Sequence, residues 1–175
     1  VVAVLAGMFF AAISGSGAAT TAAVGTTLVP ELKRKGYEEA SSASLIAASG
    51  TIGVVIPPSV PMIIYAVIAD QSVADLFLNG FIPGVAMGLI LIGIAIRQAI
   101  KRNYPRGSKL ELRNIVKTFF DALWGLLTPV IILGGIFSGY FTPSEAAVIA
   151  VNYSLLVSLL VYRDLKLKDI YRIMV

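Results

Sequence analysis

The 175 residues are 57% hydrophobic and 14% charged, with 16 Gly, 8 Pro, no Cys and no His, whereas an ordinary soluble domain carries about a quarter charged residues. That composition excludes a disordered chain, a nucleic-acid partner and a disulfide scaffold, and it supports no His or Cys zinc site, no Ser-His-Asp triad and no cysteine nucleophile. The net charge of +4 gathers its Lys and Arg in three groups, Lys33 to Lys35, Arg97 to Lys117 and Arg163 to Arg172, and leaves the turns at Asp70 to Asp75 and Ser138 to Glu145 bare of them. The class that remains is an all-α membrane protein, a polytopic helical bundle in contact with the lipid bilayer. Loops rich in Lys and Arg stay in the cytoplasm, so the three groups are expected on that side and the bare turns outside. The chain opens on Val1 inside an apolar run and stops at Val175, and it is expected to be a piece of a longer subunit.

Residues 1–29 are apolar, but Ser14-Gly15-Ser16-Gly17 divides them into arms of 13 and 12 residues. At ~1.5 Å per residue neither arm spans a bilayer, which predicts a re-entrant helical hairpin turning near mid-depth. Residues 38–69 must cross outward while carrying Gly50-Thr51-Ile52-Gly53 and Pro57-Pro58. Two prolines remove two donors and disfavour helix before them, so a discontinuous transmembrane helix is expected, with halves near 39–49 and 59–69. Residues 77–100 return as a continuous helix. From 109 to 124, Leu112, Ile115, Val116, Phe119, Phe120 and Leu123 recur at helical spacing against Arg113, Lys117 and Asp121, the pattern of an amphipathic interfacial helix. Residues 124–138 cross outward, 143–162 cross back, and 163–175 begin a cytoplasmic loop. Thr142-Pro143-Ser144-Glu145 reads as a capping box at a helix start, so Glu145 is assigned to structure rather than chemistry.

The two interruptions carry the functional reading. Broken helices at mid-depth expose amides that attract anions and carbonyls that hold small cations. Ser14, Gly15 and Ser16 at the tip, with Gly50, Thr51, Gly53 and Val54 on the facing link, offer oxygens without formal charge. Such oxygens suit a weakly held monovalent cation, and sodium (Na+) is expected as the coupling ion with no organic cofactor. Ser16, Gly17, Pro57, Pro58 and Ser59 are the candidates for substrate contact. Isolated small residues such as Ala3, Gly7, Ala11, Ala18 and Ala22 are assigned to close helix packing. Thr20, Thr21, Thr26 and Thr27 can bond back to their own helix and receive no role. Lys33-Arg34-Lys35 is read as a topology anchor, and the acids all fall at or beyond the interfaces, which leaves an enzyme without an acid/base pair at depth.

The run from Gly7 to Ala19 (Gly-Met-Phe-Phe-Ala-Ala-Ile-Ser-Gly-Ser-Gly-Ala-Ala), then Gly25 to Pro30, Gly36-Tyr37 and Gly50 to Ser59, resembles the large membrane subunit of tripartite ATP-independent periplasmic (TRAP) transporters. Pro129 to Ile136 and Gly139 to Ala147 are similar to that family's later signature. Gly17 stands where Ser is often found, and Ser144 where Thr is usual. The resemblance implies a permease fragment of an inverted-repeat, elevator-type transporter in the bacterial inner membrane, sodium-driven and taking up organic acids such as C4-dicarboxylates or sialic acid. It also implies two partners, a small membrane subunit and a periplasmic substrate-binding protein. By position, Ser14 to Gly17 correspond to the first hairpin tip and Gly50 to Ser59 to the broken helix beside it. A second hairpin is expected outside these residues, so this piece alone should not transport. Two other readings stay open: a related ion-coupled permease without a binding protein, and a non-transporting membrane scaffold.

Overall fold

Glycine and serine end the first helix and start the second. In the computed structural model, which describes residues 1–105 and 112–165, α1 (Val2–Ser14) stops where Gly15 turns left-handed, φ 62°, and donates its N–H to the Ala11 carbonyl at 2.9 Å. Glycine takes that backbone without a Cβ penalty. Ser16 then caps α2 (Gly17–Arg34), its Oγ accepting from the Ala19 N–H at 3.4 Å. After a turn at Gly36 comes α3 (Glu39–Thr51), which tightens into a 3-10 turn (Ile52–Val54) and then loses helical form through Pro57-Pro58. The chain resumes as α4 (Val60–Ile68), with a proline in its first turn, where a missing N–H does least harm.

The long helix α5 (Val73–Lys101) begins four residues before the expected position 77. Ser72 moves the boundary, because its Oγ accepts from the Asp75 N–H at 3.2 Å and so satisfies a free donor at the helix start. Residues 112–137 form one helix, α6 (Leu112–Phe137). The boundary expected at 124, between an interfacial helix and a span, is therefore no helix end. Gly125 alone costs only about 1 kcal/mol in a helix interior, and nothing stronger interrupts the chain there. Residues 109–111 of that expected segment and 166–175 of the expected loop lie outside the described residues. Last comes α7 (Pro143–Leu156), which widens into a π-helical stretch (Val157–Tyr162).

Among the described residues, three helices are long and apolar enough to cross a membrane: Val73–Lys101, Lys117–Phe137 and Pro143–Tyr162. The chain divides into two compact units, Val1–Ser108 and Lys109–Val175. In the first, Ala3, Val24 and Ile46 form a core over which Phe10, Leu28 and Leu32 close. Small residues let these helices approach: a Cβ on Gly7 would stand 2.5 Å from the Ser49 hydroxyl. On α5, Gly80, Gly84 and Gly88 recur every fourth position, so they share one face. A Cβ on Gly80 would meet the Val55 carbonyl at 2.8 Å, and one on Gly84 the Ile56 side chain at 2.6 Å. Lipid tails are as apolar as leucine, so such close contact, rather than escape from water, holds membrane helices together.

At one end of this unit the basic residues meet acids: Lys33 pairs with Glu39 at 2.5 Å, Arg102 with Glu38, and Arg34 with Glu31. Tyr37 and Tyr104 lie with ring centres 4.5 Å apart, and the Tyr37 hydroxyl donates to the Pro105 carbonyl at 3.1 Å. Lys33 to Lys35 and Arg102 thus share one end of the unit. Exposed pairs of this kind add little stability; their weight is in gathering the charges.

In the second unit, the Tyr153 hydroxyl donates to the Trp124 carbonyl at 2.9 Å and the Tyr162 hydroxyl to the Asp121 carbonyl at 2.7 Å. Nine residues of regular α-helix at about 100° each would put these tyrosines on opposite faces. The π-helical stretch turns Tyr162 back toward α6. The capping box at α7 is formed on both sides, Thr142 N–H to Glu145 Oε2 at 2.8 Å and Glu145 N–H to Thr142 Oγ1 at 3.3 Å. Thr142→Ala is expected to lower the unfolding free energy by about 1 kcal/mol in SDS titrations of the complete transporter, with Thr142→Ser close to the wild type.

Candidate functional site at the two helix breaks

The tip of the α1–α2 hairpin lies directly against the 50–58 link. A Cβ on Gly53 would come within 3.1 Å of Thr20 Oγ1 and 3.3 Å of the Ser16 carbonyl oxygen. One on Gly17 would stand 3.0 Å from the Gly50 carbonyl oxygen, and one on Gly50 would collide with Thr21 Oγ1. Glycines at 17, 50 and 53 are therefore what allows two backbones to touch. Farther along the tip, the Gly15 carbonyl accepts a hydrogen bond from the Val60 N–H at 3.1 Å, so the tip also reaches the start of α4.

Three uncharged oxygens cluster inside the tip. Ser14 Oγ and Thr20 Oγ1 are 2.8 Å apart, Thr20 Oγ1 donates to the Ser16 carbonyl at 2.8 Å, and Ser14 Oγ donates to that carbonyl at 3.2 Å. Thr20 is fully buried. Among the described residues every buried side-chain polar atom has a partner, so this triangle is satisfied by itself. A hydroxyl can nevertheless rotate its hydrogen away and present a lone pair to a cation. Among the described residues no group of three His, Cys, Asp or Glu could hold a metal. Neutral oxygens alone favour a monovalent ion over the divalent ions that demand carboxylates.

Of the candidates for the ion, the structure brings Ser14, Gly15, Ser16, Gly50 and Gly53 together. It directs Thr51 elsewhere, since its hydroxyl donates back to the Ala48 carbonyl at 2.7 Å on an exposed face. The Val54 carbonyl accepts from Ser59 Oγ at 2.6 Å, and Ser59 is fully buried. Pro57 and Pro58 are buried with it. Of the substrate candidates, Ser16 and Gly17 are half-buried at the open start of α2, whereas Pro57, Pro58 and Ser59 back the site from within. Thr20 is the residue that sequence reasoning passed over. A threonine four places after a capping serine can bond back to its helix or face a neighbour, and only the fold decides. A cavity of about 610 Å³ lies elsewhere, lined by Leu28, Leu32, Tyr37, Leu45 and Tyr104 among others, and no candidate residue borders it.

With this geometry in place, comparison with known proteins decides the family. The family model described as "Tripartite ATP-independent periplasmic transporter, DctM component" matches residues 1–175. The chain belongs to this family. A C4-dicarboxylate TRAP transporter large permease protein from Pseudomonas aeruginosa is 46% identical over 97% of the chain and 40% of its own length. The sialic acid TRAP transporter permease of Haemophilus influenzae is 41% identical over 95% of the chain and 27% of its length. An isethionate TRAP transporter permease from Oleidesulfovibrio alaskensis is 44% identical over 94% of the chain and 26% of its length. The chain thus spans between about a quarter and two fifths of these curated DctM-family relatives.

Two left-handed glycines separate conformation from contact. A Cβ added at Gly36, φ 84°, would meet nothing within 4 Å, whereas one at Gly15 would stand 2.8 Å from the Pro58 carbonyl oxygen. Gly36→Ala should therefore cost only about 1–2 kcal/mol, the left-handed backbone penalty. Gly15→Ala should lower the unfolding temperature of the complete transporter visibly further, because backbone must also move.

Proposed function

We propose that this chain forms part of the large permease subunit of a TRAP transporter, and that the whole transporter carries organic acids into the cell across the bacterial inner membrane, driven by sodium. Family membership carries the transport reading. The printed names of the relatives concern C4-dicarboxylates, sialic acid and isethionate, all of them acids, which supports an anionic substrate. A small membrane subunit and a periplasmic substrate-binding protein are the partners this reading requires, and the hairpin with its link moves as part of an elevator.

The observation that carries the ion reading is the triangle of Ser14, Ser16 and Thr20 oxygens set against Gly53. In the proposed site the Ser14 and Thr20 hydroxyls and the Ser16 carbonyl hold the ion, and Gly53 leaves room for the approach. Ser16 and Gly17 open α2, whose first amides and positive dipole end favour a carboxylate. Ion and acid would then bind on either side of one turn, each offsetting the charge of the other.

The experiment is sodium-dependent uptake by the complete transporter in proteoliposomes, with succinate as probe and choline replacing sodium. Gly53→Leu and Ser16→Leu are expected to raise half-saturating sodium by about tenfold or more, which is roughly 1.4 kcal/mol of lost ion binding. An unchanged sodium dependence in both variants would remove the site. Sidedness is tested separately on the Cys-free chain. Ser72→Cys should react with an impermeant maleimide from outside, and Gly107→Cys only from inside.

A further inference from the structure

The Gly15–Val60 bond has an arrangement of its own. No other main-chain hydrogen bond among the described residues joins positions so far apart in sequence. Ser59 is the N-cap of α4, yet its side chain makes no capping bond; the hydroxyl donates to the Val54 carbonyl instead. The first free donor of α4 is met from another element, by the Gly15 carbonyl. That carbonyl shares a rigid peptide plane with the Ser16 N–H, and the Ser16 N–H donates to Ser14 Oγ at 3.3 Å. One peptide unit is therefore held at both ends, by Val60 on one side and by a corner of the oxygen triangle on the other. Hydrogen bonds in such a chain polarise one another.

We propose that the Val60 main-chain amide is a positioning group for the ion site: it anchors the Gly15–Ser16 peptide and thereby sets the Ser14, Ser16 and Thr20 oxygens against Gly53. This rests on the sodium reading above. Val60 touches no ion itself, and its side chain is half exposed, so the effect belongs to its N–H and not to its isopropyl group. Without the anchor the tip samples displaced positions, and only the fraction of molecules with the oxygens assembled binds. Apparent affinity falls by that fraction.

Val60→Pro isolates the donor. Proline is favoured at the first position of a helix, and Ser59 already has the extended backbone, φ −131° and ψ 124°, that a residue before proline adopts. The ring carbon takes the place of the hydrogen facing Gly15, so α4 keeps its start while the tip must withdraw. Val60→Ala keeps the amide and trims the side chain. Sodium is titrated against the complete transporter in detergent, with choline holding ionic strength constant, and binding is read from the rise in unfolding temperature. Val60→Pro should raise half-saturating sodium about three- to tenfold, the net worth of one neutral hydrogen bond, and Val60→Ala should stay near the wild type. If Val60→Pro titrates like Val60→Ala, the positioning role is overturned while the ion site stands. A wild type that does not respond to sodium overturns the ion reading and this inference with it. Hydrogen exchange on the wild type gives a second measurement that needs no variant. Between Pro57 and Pro61 only Ser59 and Val60 carry an amide hydrogen, so a peptide covering them reports the bond nearly alone. Exchange there should slow when sodium is added, and fast exchange at every sodium concentration would also overturn the proposal.

Discussion

Main-chain polar groups that lose their helical partners away from water must find others, and this requirement governs the first unit. Each unsatisfied group in hydrocarbon costs several kcal/mol. The chain breaks helical bonding twice, at Gly15 and through Pro57-Pro58, and the breaks are placed so that one supplies what the other lacks. The Gly15 carbonyl answers Val60, the Ser59 hydroxyl answers Val54, and the Ser14 and Thr20 hydroxyls close on the Ser16 carbonyl. Neither interruption would be stable alone at that depth. Together they make a small polar interior walled by Ile52, Ile56 and Pro57, all buried.

Close approach is what makes this mutual satisfaction geometrically possible. Gly17, Gly50 and Gly53 let the tip and link touch, and Gly80 and Gly84 let α5 lie against the same link from another side. The flexible Met62 and Met8 side chains lie over the α5 glycines at 80 and 88, and unbranched thioethers adapt to irregular gaps. Function and packing are not separable here, since the residues that shape the oxygen cluster are those that hold the helices together.

Much of this is written locally. A Ser-Gly-Ser-Gly run names its own helix end because glycine alone turns left-handed cheaply, and Pro57-Pro58 removes donors whatever the surroundings. The all-helical class and the capping box at Thr142 come from composition and a four-residue spacing. What sequence does not carry is any contact made at long range. Nothing near Val60 says that its amide faces Gly15, and nothing near Thr20 distinguishes it from Thr26 or Thr27, whose hydroxyls donate back to Ala23 on exposed faces. The start of α5 follows from the Ser72 cap, a signal present in the chain but outweighed by the apolar pattern that begins later. The continuity of α6 comes from the absence of any strong breaker near 124, which amphipathic periodicity does not register.

The widened turn at the end of α7 sets a phase. A helix that takes up one residue more per turn over Val157–Tyr162 rotates everything downstream relative to a regular one. Arg163, Asp164 and Leu165 therefore leave the helix on a bearing fixed by that single irregularity. Losing one residue from the stretch would let it relax to ordinary α-geometry at little local penalty, yet swing the following basic segment by roughly a quarter to a third of a circle. The irregular turn acts as an angular offset, through which the length of a helix, rather than its composition, aims what comes after it.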